Sequence, residues 1–248
     1  MANPLEQATQ SWTYSGEISY GITDKLALRA SIPLLHVDFM EGGSELSDTE
    51  IGDLAVVAQY FWSFGYFAAP TMLSLGLGLN VPTGGGIENP ITSDRNFVSG
   101  TVDPIISGSV LFSIMGSWSV NANLYTRPIL DEDNDGTKSG SFISYGIGTS
   151  YSIGFSQNSG VDLSLHISGL HREKDKIKGQ AFSNSGGDWV YITPGATFSI
   201  FGRGIHGVQI WSNLEIPVYQ FVNGNQLTED WTVRMGLGYG FHLLDQSQ

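Results

Sequence analysis

"LSLGLGLNVPTG", residues 73 to 84, decides how this chain is read. Leu73, Leu75, Leu77, Leu79 and Val81 occupy every second position, with Ser74, Gly76, Gly78 and Asn80 between them. A strand points successive side chains to opposite faces, so one face of this segment is an unbroken apolar stripe. The other face carries almost no side chain. The same alternation recurs along the chain, and a helical period appears nowhere convincingly.

Eleven such segments can be marked out. They lie near 11–22, 26–38, 51–64, 73–84, 101–113, 117–129, 141–155, 161–172, 188–201, 206–221 and 230–243. Short turns near 23–25, 65–68, 114–116, 156–160 and 202–205 alternate with longer polar stretches near 39–50, 83–100, 130–140, 173–187 and 222–229. This short–long rhythm is produced by up-and-down strands in an outer-membrane barrel. Neither a linker nor a shift in composition interrupts it, so residues 1–248 read as one domain.

Composition bears on which face meets what. Charged residues are 14% of the 248, against roughly 25% in soluble domains. The polar faces are built from Ser, Gly, Asn and Thr, whereas a water-facing exterior would carry many long charged side chains. A closed barrel has limited interior volume and suits small residues inside. The reading is therefore an all-β, antiparallel transmembrane barrel with leucines toward lipid and glycines toward the lumen. A soluble β-sandwich binding module remains open, because alternation alone does not say which face is buried. Aromatics form two candidate girdles. Trp62, Phe64, Tyr66, Phe67, Trp118, Phe155 and Phe201 lie near the short turns, and Phe39, Phe142, Trp189, Tyr219, Phe221 and Trp231 near the long loops.

Several function classes are disfavoured. The net charge is −13, with 11 Lys and Arg against 24 Asp and Glu, so the basic footprint that nucleic acid requires is missing. There is no cysteine for disulfides, thiolate metal sites or a thiol nucleophile. No apolar run of 18 residues marks a transmembrane helix, and "MANPLEQATQ" has no signal-peptide pattern. The five histidines sit in no catalytic motif, and the chain is read as not an enzyme.

"YGITDKLALRASIPLL" (20–35), "IGDLAVVAQYFW" (51–62), "LGLGLNVPTG" (75–84) and "VRMGLGYGFHL" (233–243) resemble the outer-membrane transporter-like barrels of the meta-pathway of phenol degradation family. The resemblance runs in order through most of the chain. It implies a closed barrel of about twelve strands that moves small, often aromatic or hydrophobic, compounds. Two departures stand out. Eleven segments is an odd count, and the family's strand before "YGIT" is reduced here to about ten residues, so an N-terminal strand and a signal peptide are expected to be missing from this sequence. Phe241 is followed by "HLLDQSQ", whereas membrane barrels often end on an aromatic residue.

The polar faces carry Glu17, Arg29, Asp53, Asp103, Arg127, Asp162, His166, Arg172, Glu215, Arg234 and His242. Charges in a narrow lumen must be paired or hydrated. They form either a selectivity filter or a salt-bridge network that fills the interior. "DEDNDGTKSG" (131–140) places Asp131, Asp133 and Asp135 before Gly136, the opening of a calcium loop. The twelfth position is Phe142 rather than a bidentate glutamate, so the loop is either a weak calcium site or a solvated acidic turn. "PTGGGIENP" (82–90) lacks the Lys-Ser/Thr ending of a phosphate loop and reads as an external loop. "HREKDKIKG" (171–179), the one basic cluster, either contacts anionic lipid headgroups or is a solvated loop. No cofactor is expected beyond weakly held calcium. The expected partners are membrane lipid, lipopolysaccharide and a small solute, in the bacterial outer membrane. The leading function is passive passage of small solutes, and the alternative is a closed structural or ligand-binding barrel without a continuous pore.

Overall fold

Alternation of this length predicts strands long enough to cross a bilayer, and the computed structural model contains them. It describes residues 9–41, 44–66, 69–84, 99–201, 207–226, 228 and 230–240. The wall begins with β1 (Thr9–Thr23) and β2 (Leu26–Glu41), followed by a short β3 (Ser44–Ile51). It continues through β4 (Leu54–Tyr66), β5 (Ala69–Val81), β6 (Asp103–Met115) and β7 (Trp118–Arg127). After a two-residue β8 (Thr137–Lys138) come β9 (Phe142–Ser156) and β10 (Ser159–Arg172). The short β11 (Lys176–Ile177) and β12 (Gln180–Ala181) precede β13 (Gly187–Phe201), β14 (Gly207–Val222) and β15 (Thr232–Gly240).

Eleven of these strands pair as antiparallel neighbours in the order β1-β2-β4-β5-β6-β7-β9-β10-β13-β14-β15. Among the described residues no pairing joins β1 to β15, so these eleven strands leave two edges. The sheet is strongly curled. Strands β1 and β9 are six places apart in it, about 29 Å in a flat sheet at roughly 4.8 Å per strand. Yet Ser15 of β1 and Phe142 of β9 line one cavity.

Burial is inverted relative to a soluble protein. Among the described residues the buried hydrophobics are Leu35, Ile105 and Ile129, whereas buried polar groups include Asp53, Asn80, Asp103, Arg127, Arg172 and Asp175. The opening segment shows the pattern locally. Leu73, Leu75, Leu77 and Leu79 are all exposed, Leu77 at 58%, while Ser74, Gly76 and Asn80 between them are buried. A soluble sandwich does the reverse.

The inner glycines leave space that neighbouring side chains take up. A Cβ on Gly148 would meet the His166 ring at 2.2 Å, and one on Gly236 would meet the Trp211 ring at 2.3 Å. Large rings from adjacent strands thus occupy the space beside these glycines, a pairing that shields the bare backbone.

Three expectations change. The polar stretch 39–50 is largely strand, because β3 pairs along β2 from Leu34↔Ile51 to Glu41↔Ser44. The stretches 130–140 and 173–187 carry a small three-stranded sheet, in which β11 pairs both β8 and β12. Phe142 and Trp189 belong to the inner face rather than to a girdle. Phe142 has the parity of Ser144 and Gly146, and Trp189 pairs with Leu170 and Gln220 on the lumen-side parity of their strands. Tyr219 and Phe221 stay outward and exposed.

Candidate functional site

The long connections gather at one end of the sheet, and the inward charges nearest that end come together. Asp53 stands between β3 and β4 and is 2% exposed. Its Oδ2 accepts from Asn80 Nδ2 (2.8 Å), Ser99 N (2.8 Å) and Ser99 Oγ (3.1 Å). Its Oδ1 accepts from Gly84 N at 3.4 Å. One carboxylate therefore ties the start of β4 to the end of β5 and to the segment entering β6. Asp103, at the start of β6, is fully buried. Its Oδ1 accepts from Thr101 Oγ1 at 2.8 Å, and its Oδ2 accepts no hydrogen bond among the described residues.

Arg127 closes the inner face of β7 and is 6% exposed. Its guanidinium lies 5.1 Å from the centre of the Phe142 ring, a cation–π distance. Phe142 in turn stacks on Tyr125, with centroids 5.7 Å apart and planes at 24°. Asp103, Asp53 and Arg172 all lie within electrostatic reach of Arg127. A cavity of about 210 Å³ opens here between Ser15, Ser31 and Pro33 on one side and Tyr125, Arg127 and Phe142 on the other, with Asp53 and Asn80 in its wall.

A second knot adjoins it. Arg172 Nη2 donates to Asp175 Oδ1 at 2.9 Å, and both residues are buried. The same oxygen accepts Gly140 N at 2.7 Å, and Asp175 N donates to Ser185 Oγ at 2.8 Å. A Cβ on Gly140 would fall 1.9 Å from the Glu173 carbonyl oxygen, so the two loops pack backbone to backbone.

The remaining sequence-predicted residues stand apart from this cluster. Glu17 and Arg29 form a half-exposed ion pair at 3.2 Å across β1 and β2, and Glu215 and Arg234 form another at 2.9 Å across β14 and β15. Asp162 accepts from the Ser152 hydroxyl, and His166 lies over Gly148. His242 lies outside the described residues. The three carboxylates of the calcium-like loop do not converge. Asp133 Oδ1 accepts the amides of Asp135 (3.0 Å) and Thr137 (2.7 Å), and Gly136 turns at φ 78°. Among the described residues no three Asp, Glu or His side chains gather as a metal site. The basic stretch divides between two environments. His171 pairs with Asp188 at 2.7 Å on the exposed side, while Arg172 turns inward.

Sequence reasoning passed over Asn80, Ser99, Thr101, Tyr125, Phe142 and Asp175. Three of them carried a signal: within their strands Asn80 shares parity with Ser74, Tyr125 with Arg127, and Phe142 with Ser144. Nothing in "HREKDKIKG" distinguishes the buried Asp175 from its exposed neighbours.

The profile of the family described as "Putative MetA-pathway of phenol degradation" matches residues 5–228. The chain belongs to this family. No curated protein matches it. Among solved structures, an outer-membrane channel from Pseudomonas putida F1 superposes with a TM-score of 0.61 at 14% identity, covering 94% of this chain and 84% of the other. At that identity the likeness is one of fold. This member of the phenol-degradation family thus shares a channel's strand architecture along nearly its whole length.

Proposed function

We propose that this chain forms a channel in the bacterial outer membrane through which small solutes pass without catalysis or energy input. The inverted burial carries the reading. Large apolar side chains such as Ile18, Leu77, Leu163 and Leu237 are exposed on one face, while hydroxyls, amides and paired charges occupy the other. Lipid suits the first face and water the second. The superposed channel and the family description support the same reading and favour small hydrophobic or aromatic compounds among the solutes. Lipid contacts the outer face, and lipopolysaccharide meets the long-loop end, where Lys174, Lys176 and Lys178 are exposed.

The test is conductance in planar bilayers of the protein folded in detergent. Discrete steps in salt are expected. Stable insertion with no steps would overturn the channel and leave the closed binding barrel, whose pocket is the cavity beside Tyr125 and Phe142.

A further inference from the structure

The inner cluster and the long-loop end carry the same sign of excess charge. In the cluster, Asp53 and Asp103 stand against Arg127, while the nearby Arg172 is already joined to Asp175. The Asp53 carboxylate is surrounded by donors, whereas Asp103 Oδ2 is buried without a hydrogen bond among the described residues. With one donor, Thr101 Oγ1, on its carboxylate, fewer local dipoles oppose its charge than oppose that of Asp53, and buried charges are weakly screened by salt. Asp53 and Arg127 both line the cavity, so their fields act on what passes beside it.

The rest of the long-loop end adds to this excess. Residues 39–50 hold four carboxylates and no Lys or Arg, and residues 128–141 hold four carboxylates and one lysine. Residues 223–231 add two more carboxylates, and only 173–186 leans positive. The short-turn end is nearly neutral. Asp24 and Lys25 offset each other, and Arg203 is the one other charge in those turns. A solute arriving at the long-loop end meets a negative potential that falls away along the lumen.

We infer that this channel selects for cationic over anionic solutes, with Asp103 and Asp53 opposed by Arg127 as the inner filter and the acidic 131–135 loop as the outer one. The inference rests on the channel reading and adds the charge class of the solute. Electrostatic focusing by one sign of charge raises the local concentration of the opposite ion.

Reversal potential across a tenfold KCl gradient tests it on the whole protein in a planar bilayer. The wild type is expected to show a potassium-to-chloride permeability ratio of at least about 3, the effect of one unit charge across roughly 6 Å of water. Asp103→Asn is expected to lower the ratio and Arg127→Gln to raise it. Both residues are buried, so a third variant, Asp131→Asn/Glu132→Gln/Asp135→Asn, guards against misfolding. Those three side chains are exposed, and Asp133, which orders the loop, is left intact. The triple variant is expected to lower the ratio in dilute salt and to match the wild type at 1 M, where the Debye length is about 3 Å. A wild-type ratio at or below 1 overturns the inference while leaving the channel. A ratio that the triple variant leaves unchanged in dilute salt removes the outer filter. A ratio unmoved by both inner variants in folded protein removes the inner one. Insertion without any steps overturns the channel reading, and selectivity with it.

Discussion

Adding one methyl group to the inner face of β5 should be costly, and adding one to the outer face of β6 should not. A Cβ on Gly78 would stand 2.2 Å from the Val56 carbonyl oxygen and 2.8 Å from Val57 Cα, both backbone atoms of the paired strand. Backbone cannot rotate away, so the ladder itself must shift. A Cβ on Gly108 would find its nearest neighbour, the Ser74 carbonyl oxygen, at 3.7 Å, an ordinary contact. Neither glycine has a positive φ. Overpacking of this kind costs about 1–3 kcal/mol. Glycine to alanine at an unstrained site gains about 0.4–1 kcal/mol through the unfolded chain. The two variants should therefore differ by about 2 kcal/mol or more, with Gly78→Ala the weaker. Urea unfolding of protein folded into vesicles would resolve this. At a slope near 2 kcal/mol/M, the midpoints separate by roughly 1 M. Gly76→Ala should fall between them, because its closest obstacle is the rotatable Ser107 hydroxyl at 2.3 Å. Equal midpoints for Gly78→Ala and Gly108→Ala would refute the claim that Gly78 is fixed by close backbone approach.

Three further outcomes follow from the same geometry. Asp53→Asn should lower stability by about 3 kcal/mol in the same urea assay, since it turns an amide NH₂ toward donors that now meet a charged acceptor. A loss under 1 kcal/mol would show that Ser99 and Asn80 are satisfied without Asp53. Titrating calcium to millimolar concentration in a calorimeter should give no saturable heat, because Asp133 Oδ1 is committed to two amides. A saturable heat abolished by Asp133→Asn would restore the calcium site. In single-tryptophan variants, brominated lipid should quench Trp118, which is 49% exposed on the outer face, and leave the inward Trp211 untouched. Quenching in the opposite order would turn the sheet inside out.

The strands were legible because period two is a local property of the chain. Leu73 to Val81 need no knowledge of the rest of the molecule to declare two faces. The scarcity of charge then pointed to the apolar face as the outer one, and that face is the exposed one. What escaped the sequence depends on contacts between distant segments. Residues 44–50 are mostly polar, like an exposed loop, yet they pair along β2 where it rises beyond β4. Phe142 and Trp189 are aromatic and near an interface, which made them girdle residues by type, but their register sets them inside. The calcium-like spacing of Asp131, Asp133 and Asp135 is met equally well by a turn in which one aspartate accepts neighbouring amides. Spacing alone does not separate those two uses of a carboxylate. Arg172 was readable from parity with His166 and Ser168, whereas its partner Asp175 sits in irregular structure where parity has no meaning.

The long-loop end poses a physical problem that the wall does not. Each wall strand between the two edges is held by ladder hydrogen bonds to two neighbours, and in a membrane its exposed apolar face would need no core. Beyond β3 the loops have only the two-residue pairings of β8, β11 and β12, and only Leu35, Ile105 and Ile129 are buried hydrophobics among the described residues. Directional polar contacts take the place of a core. Asp53 joins three chain segments through one carboxylate, and Asp175 joins another three through Arg172, Gly140 and Ser185. Such contacts hold only while every donor is matched, so losing one acceptor frees several groups together. These bonds reach the wall only at strand ends, through Asn80 of β5 and Arg172 of β10. Removing Asp53 or Asp175 should therefore loosen the loops that shape the mouth while the strands remain paired, so the residues that fix the entrance can vary without disturbing the barrel's fit to the membrane.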